Sequence, residues 1–261
     1  MKKSSSDLYS VQPKSNGASS EKLYATPARR ARPAAILFDM DGLLIDSERM
    51  AQDATFATAR LIGHPISEAV ALRMIGLGSD ALGRMLIAEL GAHFPFDEYQ
   101  KIWNHHYQAR IAEGVPVKSG VVDALAAVRA AGLRAAVATS TSTHFARHKL
   151  EKAGLLTHFD VVVGRDVVPH GKPAPDLYLR AARELGVEAS RCWAFEDSLP
   201  GVTAAVAAGA RTHWVPDLAH IHAHELPAGV EKIDSLHAIC HWLGTDEVAA
   251  SQIEDEKKPV T

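Results

Sequence analysis

Five brief apolar runs, each followed by a stretch with helical periodicity, constrain the fold of this chain more than any other feature. They fall at residues 34–38, 134–138, 161–163, 192–195 and 211–215. Runs this short, with no regular polar face, belong to strands covered on both sides. Such strands, alternating with helices, form a parallel sheet wound with right-handed crossovers. The expected fold class is therefore α/β, with a doubly wound parallel-sheet, Rossmann-like core.

One gap breaks the rhythm, because about 95 residues separate the first two runs. Within it, segments near 47–62, 67–74, 81–90 and 97–113 carry apolar residues at three- and four-residue spacing, which predicts helices. An insertion of that length is too long for a loop. The expected organisation is a core of residues 33–45 and 117–244 and a helical second domain of residues 46–116, with hinges near 43–46 and 115–120. Residues 1–32, rich in Ser, Lys and Arg and without periodicity, read as a disordered arm, and 245–261 as a polar tail. Asp7 and Glu21 argue against an organelle-targeting role for the arm.

Chemistry gathers at the carboxyl ends of the strands, where open α/β sheets bind ligands. The first run leads into DMDGLLIDSE, residues 39–48. Asp39 and Asp41, two apart in an extended segment, point to the same side, and Gly42 lets the backbone turn away. The second leads into VATSTST, residues 137–143, where hydroxyls and N–H groups precede a helix expected near His144, a natural phosphate cradle. The third is followed by HGKPAPD, residues 170–176, with Lys172 as a cation. The fourth enters FEDSLPG, residues 195–201, with the adjacent acids Glu196 and Asp197. Asp46 and Asp176 read as helix caps. Each feature alone has an ordinary structural explanation, but their coincidence at four successive strand ends points to a site.

Composition narrows the partners. A formal net charge of -3 and an aromatic fraction of 6 % give neither a general attraction to nucleic acid nor a base-stacking surface. Two scattered cysteines, Cys192 and Cys240, do not make a disulfide framework, so a reducing cytoplasm is the expected location. No apolar run approaches the roughly 20 residues that cross a bilayer, and the start of the chain lacks the apolar stretch of a secretory signal. A small polar partner is expected, with no nucleic acid and no membrane; oligomeric state is not legible.

On these four motifs, in this order over about residues 34–243, the sequence resembles the haloacid dehalogenase superfamily. Within it, the resemblance is to the branch of β-phosphoglucomutase-like enzymes and small-molecule phosphatases with a helical cap after the first strand. The resemblance implies a magnesium-dependent phosphatase acting on a small phosphorylated metabolite, such as a sugar phosphate, through an aspartyl-phosphate. Carried onto this chain, it implies Asp39 as nucleophile and Asp41 as general acid and base. Thr139, Ser140 through its N–H, and Lys172 would bind the phosphate. Mg2+ would be held by Asp39, the main-chain carbonyl of Asp41, Glu196 and Asp197, with Glu196 holding a metal-bound water in one variant of that set. A carboxylate nucleophile needs such a cation to meet a phosphoryl dianion.

Two departures separate the chain from the mutases of that branch. Their histidine twelve residues after the nucleophile is here Ala51, and the corresponding cap loop, residues 76–82, reads GLGSDAL without arginine. Arg73 or Arg84 would have to hold a second phosphate. The alternatives are a phosphosugar mutase and a non-catalytic binding protein on the same fold. Dehalogenation would need neither acid pair. His220, His222 and His224 read as part of a solvated loop after the fifth run, which itself carries His213 nearby, and Phe94, Trp103 and Tyr107 as core; Tyr99 and His105 are assigned neither role.

Overall fold

Strands β1 (Ala35–Phe38), β2 (Arg134–Ala138), β3 (Val161–Val163), β4 (Cys192–Glu196), β5 (Arg211–Trp214) and β6 (Glu231–Lys232) form one sheet in the order β3-β2-β1-β4-β5-β6. Every pairing is parallel. The computed structural model describes residues 31–74, 77, 79–218 and 221–244. All the elements below fall within one unit, Arg32–Thr261. Most of the expected N-terminal arm, the 245–261 tail, Gly76 and Gly78 of the expected 76–82 loop, and His220 lie outside the described residues.

The strands are covered on both faces, as their uniform apolar character demands. Side chains alternate along β1, so Ile36 and Phe38 join one buried cluster while Ala35 and Leu37 join another. The first cluster is closed by α5 (Val121–Ala130), α6 (Thr143–Lys152) and α9 (His237–Leu243), through Val121, Leu125, Leu150 and Ile239. The second is closed by α7 (Asp176–Glu184) and α8 (Leu199–Ala207). There Ala181, Ala182, Ala204 and Ala205 let the helices lie close to a sheet face that is itself alanine-rich, at Ala35, Ala136, Ala138 and Ala194.

Between β1 and β2 the chain is helical: α1 (Ser47–Leu61), α2 (Glu68–Met74), α3 (Ser79–Leu90) and α4 (Phe96–Glu113). Their ends fall within a residue or two of those read from periodicity. These helices have an apolar cluster of their own, with Ala59, Val70, Leu86, Phe94 and Tyr99. At its base, Met50 and Ala54 of α1 and Tyr107 and Ile111 of α4 join the cluster on the sheet. Phe94 and Tyr107 are thus core residues, as expected, and Tyr99 is core as well.

The two connections to the insertion run beside each other. Ile45 bridges Val117, Asp46 N–H donates to Pro116 O at 2.9 Å, and Lys118 N–H donates to Leu44 O at 3.0 Å. The segment after Asp39 is thereby tied to the return of the chain, which fixes where α1 starts relative to the sheet.

Three expectations are corrected. β6 extends the sheet beyond the five runs; two residues, Glu231 and Lys232, are too few to show a period of two. Asp46 makes no side-chain cap bond to α1 and pairs with Arg49 at 2.7 Å. Asp176 is the first residue of α7 and accepts from His170 N–H at 3.4 Å, with the His170 ring at 3.3 Å, instead of capping. In both, a nearby cationic or imidazole partner displaces the cap. Among the described residues, no helix is long and apolar enough to cross a membrane.

Candidate active site

The sheet reverses its winding between β1 and β4, and at this topological switch point a crevice opens at the strands' carboxyl ends. Phe38 sits in register with Val137 on one side and Phe195 on the other, and Asp39 N–H donates to Phe195 O at 3.0 Å. The residues that follow these strands are therefore neighbours: Asp39, Thr139, and the Glu196–Asp197 pair.

Lys172 joins them from the loop after β3. Its ammonium is ion-paired to Asp39 and lies 2.5 Å from Glu196 Oε1. The side chains of Lys172, Asp39 and Glu196 are 5 %, 8 % and 0 % exposed, so these charges meet almost without water. Glu196 is held further by the Tyr178 hydroxyl at 2.5 Å and the Ser198 hydroxyl at 3.2 Å. Ser198 also caps α8 by accepting from Gly201 N–H. Gly201 must be glycine, since a Cβ there would overlap the Glu196 carboxylate.

Oxygens of Asp39, Glu196 and Asp197 lie within 4.8 Å of one another. Burial pushes Asp39 up to about 8 in spite of the Lys172 charge, with Glu196 and Asp41 adding to the rise. Burial, then the charges of Asp39 and Glu196, push Asp197 well above the usual carboxylate range. Lys172 stays cationic, because its two carboxylate neighbours outweigh its own burial. One lysine among three buried acids leaves an excess of negative charge. A hard divalent cation with oxygen ligands fits this donor set and would relieve the excess.

Asp41 stands apart from that cluster. One oxygen accepts from Lys149 Nζ at 2.7 Å and from Ser47 at 2.5 Å; the other accepts from Thr141 at 2.7 Å, with Thr139 at 3.5 Å. Burial alone would raise Asp41, but the Lys149 charge and these hydrogen bonds outweigh it and hold it below the ordinary value. In this arrangement Asp41 is ionised, the form of a base; acting as an acid requires release from Lys149. Thr139 is buried and accepts from Thr141 N–H at 3.1 Å, while Ser140 is exposed at the mouth of the strand end.

Several site residues escaped the sequence reading. Lys149 lies on α6, 5 % exposed at the side chain, over the rings of Phe145 and Tyr107. The available signal was its position: Ala146, Lys149 and Leu150 form the buried face of α6, where a lysine needs a partner. A second acidic group, Glu48, Asp197 and Asp217, brings together the start of α1, the end of β4 and the loop after β5. Burial, then Asp217 and Asp41, push Glu48 up to about 7. Lys118 and Arg49 are paired with Asp217.

The remaining candidates are dispersed. Arg73 pairs with Glu89 and Arg84 is exposed, and neither is among the residues lining the cavity between the inserted helices, whereas Ala51 is. Trp103 lines that cavity as well as touching the core. His213 is buried on β5, within the fifth expected run, against Phe195 and Trp242, while His222 and His224 stack on each other around a single 3-10 turn. His105 is exposed on α4.

Gly42 has φ +83°, and a Cβ at this position would collide with the Asp197 carboxylate. Gly42→Ala is expected to cost about 1–2 kcal/mol through the left-handed backbone alone. It should lower turnover by roughly a hundredfold by displacing Asp197. Thermal melts and steady-state kinetics check both; a variant with unchanged turnover would separate Asp197 from function.

A family model described as haloacid dehalogenase-like hydrolase matches residues 33–209. The chain is 33 % identical over 175 residues to a phosphorylated carbohydrates phosphatase of Thermotoga maritima, covering 67 % of this chain and 81 % of that protein. It is 30 % identical over 194 residues to hexitol phosphatase B of Escherichia coli, covering 70 % and 83 %. Among solved structures, CbbY from Rhodobacter sphaeroides in complex with phosphate aligns with a TM-score of 0.66 at 29 % identity, over 81 % of this chain and 99 % of that one.

Proposed function

This chain belongs to the haloacid dehalogenase-like hydrolases and is a phosphoric monoester hydrolase, and from that premise we propose that it is a magnesium-dependent phosphatase of small sugar phosphates working through Asp39. The observation that carries the reading is the meeting of Asp39, Asp41, Thr139, Lys172, Glu196 and Asp197 at the carboxyl ends of adjoining strands. Phosphatases of carbohydrates and hexitols among the relatives support the choice of substrate.

Asp39, the main-chain carbonyl of Asp41, Glu196 and Asp197 would hold the ion, which would offset the charge between the Asp39 carboxylate and the phosphoryl oxygens. The Asp39 carboxylate attacks phosphorus, and the bond from phosphorus to the leaving oxygen breaks. Asp41, released from Lys149 and protonated, gives its proton to that oxygen. Asp41 then takes a proton from water, whose oxygen attacks phosphorus, freeing phosphate and restoring Asp39. Lys172 supplies fixed positive charge opposite, and the Thr139 hydroxyl and Ser140 N–H orient the phosphoryl oxygens.

In this reading, residues 46–116 act as a cap that excludes bulk water from a core of residues 33–45 and 117–244. Water, not a sugar hydroxyl, captures the intermediate, because Ala51 offers no imidazole to hold a sugar for return transfer. We place the reaction in the cytoplasm, a setting compatible with two cysteines at buried positions.

The test is phosphate release from sugar phosphates with and without metal. Magnesium should support release in step with substrate loss, excess chelator should abolish it, and calcium, whose larger and more flexible shell makes it a poor substitute, should inhibit. Full activity in chelator, or isomerised sugar phosphate with little free phosphate, would overturn the reading.

A further inference from the structure

A cavity of about 320 Å3 lies between the inserted helices, and Glu48 belongs both to its wall and to the acidic cluster with Asp197 and Asp217. That volume is at the small end of the range for ligand pockets, about 300–1,000 Å3. Beside Thr55, its polar wall carries two pairs, each one helical turn apart: Glu48 with Gln52 on α1, and Gln100 with Asn104 on α4. Tyr99 and Trp103 line it too, but their polar atoms are turned to Thr55, at 3.3 and 3.0 Å, so the rings offer apolar surface.

Among the described residues lining the cavity, none is a lysine or an arginine. The stretch of sequence that carries the lining residues Leu77 and Leu82, residues 75–82, reads IGLGSDAL and contains no lysine or arginine. The cations nearby are engaged: Arg49 and Lys118 with Asp217, Lys149 with Asp41, and Lys172 with Asp39 and Glu196. A second anionic group on a substrate would enter this space with no countercharge and with Glu48 opposing it, which is unfavourable. Side-chain amides, by contrast, donate and accept, which matches the hydroxyls of a neutral polyol.

We propose that the leaving group is a neutral polyhydroxylated sugar or polyol, read by Gln52 and Asn104, and that the cap cavity rejects substrates with a second phosphate or a carboxylate. This rests on the phosphatase reading above and adds the class of leaving group to it.

The experiment compares kcat/KM for sorbitol 6-phosphate, fructose 1,6-bisphosphate and acetyl phosphate with magnesium present. Sorbitol 6-phosphate should exceed the bisphosphate by roughly a hundredfold or more. Leu82→Lys, which brings a cation to the cavity wall, should narrow that ratio by about tenfold. Gln52→Leu should lower the sorbitol 6-phosphate value about tenfold relative to acetyl phosphate. A bisphosphate cleaved as well as the monophosphate, or ratios indifferent to both substitutions, would overturn the proposal. No phosphate release from any of the three would instead sink the phosphatase reading. The cavity's preference is then read as calorimetric affinity of the magnesium-loaded Asp39→Asn protein for the two sugar phosphates, and equal affinities would refute it.

Discussion

Asp39→Asn is expected to lose turnover by roughly four orders of magnitude or more while the protein keeps its fold. The amide preserves the shape of the side chain and removes the charged oxygen that, on the proposed mechanism, would attack phosphorus. It also removes one carboxylate from a buried set of three served by a single lysine, which relieves repulsion. The variant should therefore melt no lower than the parent in the absence of metal, and the loss should fall on kcat. Turnover within tenfold of the parent would show that another group is the nucleophile.

Lys172→Met is expected to have the largest effect on stability. Its ammonium is shared by Asp39 and Glu196 at a site with almost no solvent. Removing one partner of a buried ion pair leaves uncompensated charge and costs about 3–5 kcal/mol. The sign of the pH dependence follows from Asp39. Its folded-state value of about 8 lies above the unfolded value of 3.8, so between these the folded protein holds a proton that the unfolded chain has released. Stability from this group is then highest at low pH and falls as pH rises through that window. The lysine lowers Asp39, so its removal should carry the fall on to higher pH, and magnesium should restore part of the loss by binding the folded state. Melting curves in chelator at pH 5 and pH 8, with and without added magnesium, read all three effects. A variant as stable as the parent at both values would show that the pair carries no such load.

How much of this was legible in the sequence differs between the parts of the site. Asp39, Thr139, Lys172, Glu196 and Asp197 follow short apolar runs, and a parallel sheet obliges such positions to converge at one edge, so local pattern and topology carried the same information. The helices of the insertion were legible because three- and four-residue spacing persists over many residues. Lys149 was not, because it sits in mid-helix and its partner Asp41 is 108 residues away. Only its placement between Ala146 and Leu150 on the buried face marks it. Glu48 and Asp217 meet through the course of the linkers at Ile45 and Val117, a tertiary event without a local signature. The supposed caps at Asp46 and Asp176 failed for a related reason: a capping-type residue next to Arg49 or His170 has a competing partner that composition alone does not rank.

Covalent catalysis by Asp39 can be caught by acid-quenching the enzyme during turnover of a sugar phosphate with magnesium and mapping its peptides by mass spectrometry. One phosphoryl group is expected on the peptide that contains Asp39, formed within the first turnover, discharged to free phosphate as substrate is exhausted, and missing from the Asp39→Asn protein. Phosphate release with no phosphorylated peptide formed at a competent rate, or a phosphoryl group on any other residue, would contradict it.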